Sequence, residues 1–208
     1  MMVKDGETTT SISAILLAGG KSRRLGRDKA LENIGGERII DKVITKVSKC
    51  CDEVLVVGDR PARYQELDLP EEIKFVHDHF ANAGSLGGLY TGLSKSLSDW
   101  CLLVACDMPF LSVDLLNDMK SKAIDSKAHA LVPIIDGRFQ PTHAFYNKRC
   151  LPYIERNIKL GLFKMIGYFN EINVKTVGFD SNEMNQDTER SFFNLNTKED
   201  LQKARQWV

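Results

Sequence analysis

Ile12-Ser-Ala-Ile-Leu-Leu-Ala18, followed at once by Gly19-Gly20, is the stretch that decides the fold. Only Ser13 interrupts the apolar run, so a strand built from it buries both faces, as in the middle of a parallel sheet and unlike a half-solvated hairpin. The signature returns at Glu53-Val-Leu-Val-Val-Gly58 and at Cys101-Leu-Leu-Val-Ala-Cys106-Asp107, and more weakly at residues 73–76 before His77-Asp78. Helical periodicities fall between these runs. Ile39, Ile40, Val43, Ile44 and Val47 share one face of residues 38–48; Leu89, Leu93 and Leu97 follow a loop over 77–88; Leu115, Leu116 and Met119 follow a cap at Ser112 or Asp114.

Strands alternating with helices imply right-handed crossovers and a doubly wound, mostly parallel sheet in a three-layer α/β/α sandwich. A further strand is expected over 128–134, then a turn at Asp136-Gly137 and a second extended segment over 139–146. In such a fold ligands bind beyond the carboxyl ends of the strands. The polar exits Gly19-Gly20, Asp78 and Asp107 are therefore expected to converge on one crevice.

Composition narrows the partners. Lys+Arg and Asp+Glu both number 28 in 208 residues, so no chain-wide positive field exists to hold nucleic acid, and phosphate recognition must be local. No apolar run approaches membrane-spanning length, and residues 1–11 lack the apolar centre of a signal peptide. They read as a disordered tail before one domain over 12–208, in the cytoplasm. Five cysteines without a C-x-x-C pair read as reduced thiols, small buried hydrophobes more than metal ligands.

The loop after the first strand, Leu17-Ala-Gly-Gly-Lys-Ser-Arg-Arg-Leu-Gly-Arg-Asp-Lys29, carries the chemistry. Glycines let backbone N–H groups approach phosphate oxygens, and Arg24 and Lys29 can neutralise a triphosphate. It is not a P-loop, which needs glycine where Ile15 stands. Nor is it a dinucleotide fingerprint, whose glycine spacing Gly19, Gly20 and Gly26 do not reproduce.

The pattern L-A-G-G-x-S-x-R-[ML]-G-x-D-K resembles that of the molybdenum cofactor guanylyltransferases. The likeness continues at Asp78, Gly84-Ser-Leu-Gly-Gly-Leu89, Cys106-Asp-Met-Pro-Phe110, Gln140-Pro-Thr-His143 and Phe193-Asn-Leu-Asn-Thr-Lys-Glu-Asp-Leu201. The resemblance implies a Rossmann-like nucleotidyltransferase fold, and transfer of GMP from GTP to the phosphate of molybdopterin with Mg²⁺ and release of pyrophosphate. It implies nucleotide contacts at Leu17, Ala18, Gly19, Gly20 and Lys29, a base or ribose contact at Asp78, and a metal ligand at Asp107. Lys29, Arg24 and Asp107 would carry catalysis. It also implies transient contacts with cofactor-delivery proteins. Two positions depart from the family: Ser85 stands where proline is usual, and Val57-Gly58-Asp59 where some members carry asparagine. Asp59 is then the candidate partner for guanine N1–H and N2–H₂.

Pyrophosphate displacement by a phosphate needs charge neutralisation and no side-chain nucleophile, which agrees with the missing Ser-His-Asp pattern. Alternatives are a cytidylyltransferase, a sugar-phosphate nucleotidyltransferase, or a scaffold that binds nucleotide without turnover. His77-Asp78-His79 reads as a solvated loop, having too few ligands for zinc. Thr197 with Asp200 reads as a helix cap. Gln140 to His143 face either the acceptor or water, and Gly161, Phe163, Met165 and Phe169 either line a pterin pocket or build a short core helix.

Overall fold

The protein was analysed as a computed structural model, which describes residues 10–19 and 28–208. The chain runs β1 (Ile12–Leu17), a hairpin of β2 (Asn33–Ile34) and β3 (Glu37–Arg38), α1 (Ile39–Val47), β4 (Glu53–Gly58), α2 (Ala62–Leu67) and β5 (Lys74–His77). It continues through α3 (Gly84–Lys95), β6 (Trp100–Ala105), α4 (Val113–Ile124), β7 (Ala130–Ile135), β8 (Arg138–Phe139) and β9 (His143–Asn147). Then come α5 (Leu151–Lys159), β10 (Val174–Phe179), α6 (Gln186–Ser191) and α7 (Lys198–Arg205).

The main sheet has the order β10-β7-β9-β6-β1-β4-β5, with β8 paired to β7. β1 lies between β4 and β6, parallel to both, with Leu17 level with Val57 on one side and Ala105 on the other. The chain first winds outward from β1 through β4 to β5, then returns to place β6 on the opposite flank. The order therefore reverses at β1/β6, the topological switch point where such sheets open a crevice.

Alternation along the central strands explains the two buried faces. Ile12, Ala14 and Leu16 join Val56, Leu102 and Val104 against Ile40, Val43, Leu116 and Met119 of α1 and α4. Ile15, with Leu55, Val57 and Leu103, meets Leu86, Leu89 and Leu93 of α3 and Ile154 of α5. Each buried Leu or Ile contributes roughly 1.5–3 kcal/mol of transfer free energy, so this double-sided core holds the strand exits rigidly. α3 sits unusually close to β1. A Cβ on Gly88 would come within 2.6 Å of Leu17 Cδ2, and one on Gly92 within 2.5 Å of Ile15 Cγ2.

The doubly wound, three-layer architecture expected from the sequence is present, with four differences. The helix expected to reach Leu97 ends at Lys95, because Ser96 turns extended and its hydroxyl bonds the carbonyls of Leu93 and Ser98; Leu97 is 80% exposed. The extended segment over 139–146 is two strands. Asp136 and Gly137, both at positive φ, turn β8 back on β7, and β9 then enters antiparallel between β6 and β7. β10 forms an edge parallel to β7 that the sequence did not reveal. After α5 the chain is not a helix: Phe163 is exposed, Met165 and Phe169 rest on the α5-side core, and the fully buried side chain is Tyr168.

Most of the tail expected over 1–11 lies outside the described residues; Ser11 Oγ is 3.0 Å from Ser98 Oγ. All five cysteines are free thiols, three of them buried. Burial pushes the thiols of Cys101 and Cys150 up to about 12, as suits small core hydrophobes. No helix among the described residues is long and apolar enough to cross a membrane.

Candidate active site

The ladder extends one residue past both central strands at the switch point: Ala18 N donates to the Val57 carbonyl at 2.9 Å, and Cys106 N to the Leu17 carbonyl at 3.1 Å. These bonds carry the exits of β1 and β6 to the same level. A cavity of about 230 Å³ opens there, lined by Leu17 to Gly19, Asp28 to Ala30, Arg63, Ser85, and Ala105 to Asp107. A larger cleft, about 620 Å³, lies between α1, Pro109 to Asp114, Asp187 and Arg190. Lys42 pairs with Glu37 at 3.5 Å on its rim, but the smaller cavity is the one lined by the last residues of β1 and β6 at the switch point, so the chemistry is placed there.

Two side chains meet there from opposite ends of the crevice. Asp28 caps a single turn of 3-10 helix by accepting from Ala30 N at 3.1 Å, and that turn presents Lys29. Lys29 Nζ reaches 3.5 Å from Asp107 Oδ2 and donates to Asn196 Oδ1 at 2.9 Å. Asp107 follows β6, and its carbonyl accepts from Leu195 N at 3.0 Å, which ties the 194–196 segment to the site. The remaining oxygen, Asp107 Oδ1, is buried without a hydrogen-bond partner among the described residues. Burial pushes the Asp107 carboxyl up from its ordinary range, and Lys29 opposes that shift. A buried carboxylate oxygen lacking a donor is costly unless a cation or ligand completes it, and a hard carboxylate oxygen of this kind would suit a divalent cation. Cys106, one residue earlier, is held neutral: burial and the neighbouring Asp107 push its thiol up to about 12, so it offers no thiolate.

Asp78 follows β5 and is placed differently. It is 7% exposed, and its Oδ1 accepts from Phe80 N and Thr91 Oγ1, both at 2.9 Å, pinning the turn to α3. It does not line the cavity. Leu17, Ala18, Gly19, Lys29 and Asp107 do, whereas Gly20 and Arg24 lie outside the described residues. Gly19 faces the start of the β4–α2 loop: a Cβ there would sit 3.3 Å from both Cβ and N of Asp59. Ser85 is the second residue of α3, a first-turn position that accepts either serine or proline.

His143 is 1% exposed, packs its ring 4.4 Å from that of Phe192, and neither ring nitrogen has a partner among the described residues. Burial lowers its pKa to about 3. His143 therefore serves as a neutral core residue and does not face an acceptor, while Gln140 N bonds the Pro133 carbonyl. His77 and His79 stack edge-on, and no group of three or more His, Cys, Asp or Glu gathers among the described residues. Thr197 and Asp200 form the reciprocal cap expected for α7.

Sequence reasoning missed two residues. Asn196 stands in the Phe193 to Leu201 motif just before the cap, where the sequence leaves an asparagine contact to the ligand open, but nothing local points from it to Lys29. Arg63 is buried against the Ala18 carbonyl and Asp28; in sequence it is one of two arginines beside Glu66, indistinguishable from a solvated helix face.

A doubly wound sheet with a lysine–carboxylate pair at its switch point defines a nucleotide-dependent transferase. Residues 14–168 match the MobA-like NTP transferase domain, and the chain belongs to that family. A protein of Natranaerobius thermophilus named "Probable molybdenum cofactor guanylyltransferase" is 32% identical over 96% of this chain and 98% of its own length. The molybdenum cofactor guanylyltransferase of Desulfosudis oleivorans is 32% identical over 93% and 94%. Among solved structures, molybdopterin-guanine dinucleotide biosynthesis protein A from Archaeoglobus fulgidus superposes with a TM-score of 0.81 at 26% identity, covering 94% of this chain and 97% of that one.

Proposed function

We propose that this protein transfers GMP from GTP to the phosphate of molybdopterin, forming the guanine dinucleotide and releasing pyrophosphate. The observation that carries the reading is the Lys29–Asp107 pair at the switch point, with one Asp107 oxygen buried and unpartnered among the described residues. The names of relatives that align along nearly the whole chain supply the substrates.

Each residue then has a task. Leu17, Ala18 and Gly19 bring backbone close to the nucleotide at the end of β1, with Gly20 and Arg24 assigned to the phosphates by the same loop. Lys29 balances charge that builds on the departing pyrophosphate, and Asn196 aims its ammonium. Asp107, through its unpartnered oxygen, would hold Mg²⁺, which would supply charge neutralisation for the triphosphate. Asp59, whose backbone lies beside Gly19, is assigned the guanine edge because a carboxylate can accept from both N1–H and N2–H₂. Asp78 supports the site from beneath α3 and reaches base or ribose only through its second oxygen. The acceptor phosphate is already an anion, so no general base is required of the chain. The reading implies the cytoplasm, where thiols stay reduced, and transient contact with proteins that deliver the cofactor.

Calorimetric titration with GTP, CTP, ATP and UTP, each with Mg²⁺, tests it. GTP is expected to bind at least about tenfold more tightly than the others, a difference of about 1.4 kcal/mol, and Lys29→Ala to weaken that binding. Preference for CTP would make the chain a cytidylyltransferase, and absence of binding to all four would overturn nucleotidyl transfer altogether.

A further inference from the structure

Arg63 is the buried charge that this mechanism leaves without a task. The residue is 5% exposed on α2, and every part of its guanidinium is engaged. Nε donates to the Ala18 carbonyl at 2.9 Å and Nη2 to Asp28 Oδ1 at 2.9 Å, while Nη1 pairs with Asp28 Oδ2 and lies 3.4 Å from Glu66. Ala18 is where the chain leaves β1, and Asp28 is where it returns, one residue before Lys29. One planar group thus bridges both ends of the phosphate loop.

We infer that Arg63 is a positioning residue for nucleotidyl transfer: it clamps the exit of β1 to Asp28 and so fixes the turn that presents Lys29 to Asp107. The inference rests on the transfer reading above. Asp28 and Glu66 balance the guanidinium charge, and each of its three nitrogens already bonds a protein oxygen, so Arg63 acts through its neighbours more than as a phosphate ligand. Gly58 belongs to the same device. A Cβ there would come within 3.1 Å of Arg63 Cγ and 2.6 Å of Phe75 Cζ, so glycine leaves the arginine stem a passage beneath β4. Lysine cannot replace the clamp, because a compact ammonium does not span acceptors that a rigid fork reaches in separate directions.

The test uses the full chain as wild type, Arg63→Met, Arg63→Lys, Lys29→Ala and the Arg63→Met/Lys29→Ala double variant. GTP affinity, kcat, acceptor KM and thermal midpoint are measured for each. Arg63→Met is expected to lower kcat about 100-fold, the scale of losing one preorganised electrostatic contact, with acceptor KM within about twofold. Arg63→Lys should recover less than a tenth of that loss. In the double variant, removing Lys29 should cost far less than in wild type, because a misaimed lysine has little left to contribute. A folded Arg63→Met with near-wild-type kcat, or full additivity of the two substitutions, overturns the clamp. Should Arg63→Met not fold, Asp28→Asn, which keeps the volume and weakens the bridge, is expected to lower kcat in the same sense, and an unchanged kcat there overturns it too. Wild-type protein that binds no GTP would instead overturn the transfer reading, an outcome the binding arm separates from failure of the clamp.

Discussion

The exits of β5 and β6 each end in an aspartate, and the two carboxylates live under opposite conditions. Asp78 spends an oxygen on Phe80 N and Thr91 Oγ1 and knits a turn to α3. Asp107 keeps an oxygen buried and unpartnered among the described residues, while Lys29 lies 3.5 Å from its other one. The same functional group is tied to the scaffold through one oxygen after β5 and left with a buried, unpartnered oxygen after β6. Partners decide which, since a satisfied carboxylate contributes to folding while an unsatisfied one costs stability until something binds.

The contrast breaks first at Asp107. Asp107→Ala should lower kcat/KM by about 10²–10³-fold or more, equivalent to roughly 2.7–4 kcal/mol of transition-state stabilisation. Its thermal midpoint should stay level or rise, because a poorly solvated charge has been removed. A clear fall in the midpoint would show that Asp107, like Asp78, belongs to the scaffold.

Asp78→Ala should behave the opposite way. It strands the Thr91 hydroxyl and the Phe80 N–H, at a cost of about 1–3 kcal/mol in urea unfolding, with any loss of activity following the loss of folded protein. If stability is unchanged while GTP affinity falls, the carboxylate is a nucleotide ligand in its own right.

The mildest test lies on the strand that flanks β6 opposite β1. His143 keeps a folded pKa of about 3 against 6.5 for an ordinary histidine, so below pH 6.5 the unfolded chain takes up a proton that the folded one refuses. Stability is therefore complete above that pH and declines as pH falls through the window between the two values. At about 1.4 kcal/mol per pH unit, wild type should lose about 2 kcal/mol more than His143→Leu between pH 6.5 and about pH 5. Parallel pH curves for the two proteins would show that the imidazole finds a partner when protonated.

What the sequence made legible follows from which interactions are local. β1, β4 and β6 stood out because burial on both faces leaves no polar alternation, and α1 because its apolar spacing is regular. β9 did not. Hydropathy along residues 143–147 records that they are buried, and says nothing about the direction in which a strand enters a sheet. Lys29 and Asp107 were recognisable within their motifs, but the Lys29–Asn196 bond joins residues 167 positions apart and leaves no trace in spacing. Arg63 was hidden for another reason: Arg60, Arg63 and Glu66 stand three apart with nothing in that spacing to mark one as buried, and only the fold shows Arg63 turned inward.

The glycines of α3 govern the order in which this sequence can change. A methyl group at position 88 or 92 would collide with Leu17 or Ile15, the strand residues that lead into the cavity. At position 88 the obstacle is the mobile end of Leu17, which can turn aside, whereas at position 92 three carbons of the fully buried Ile15 stand in the way, and alanine becomes acceptable there only once Ile15 has shrunk. Descent through this part of the protein is thus a path with a required sequence of moves, in which a destabilising trimming of Ile15 must come before position 92 is free to vary.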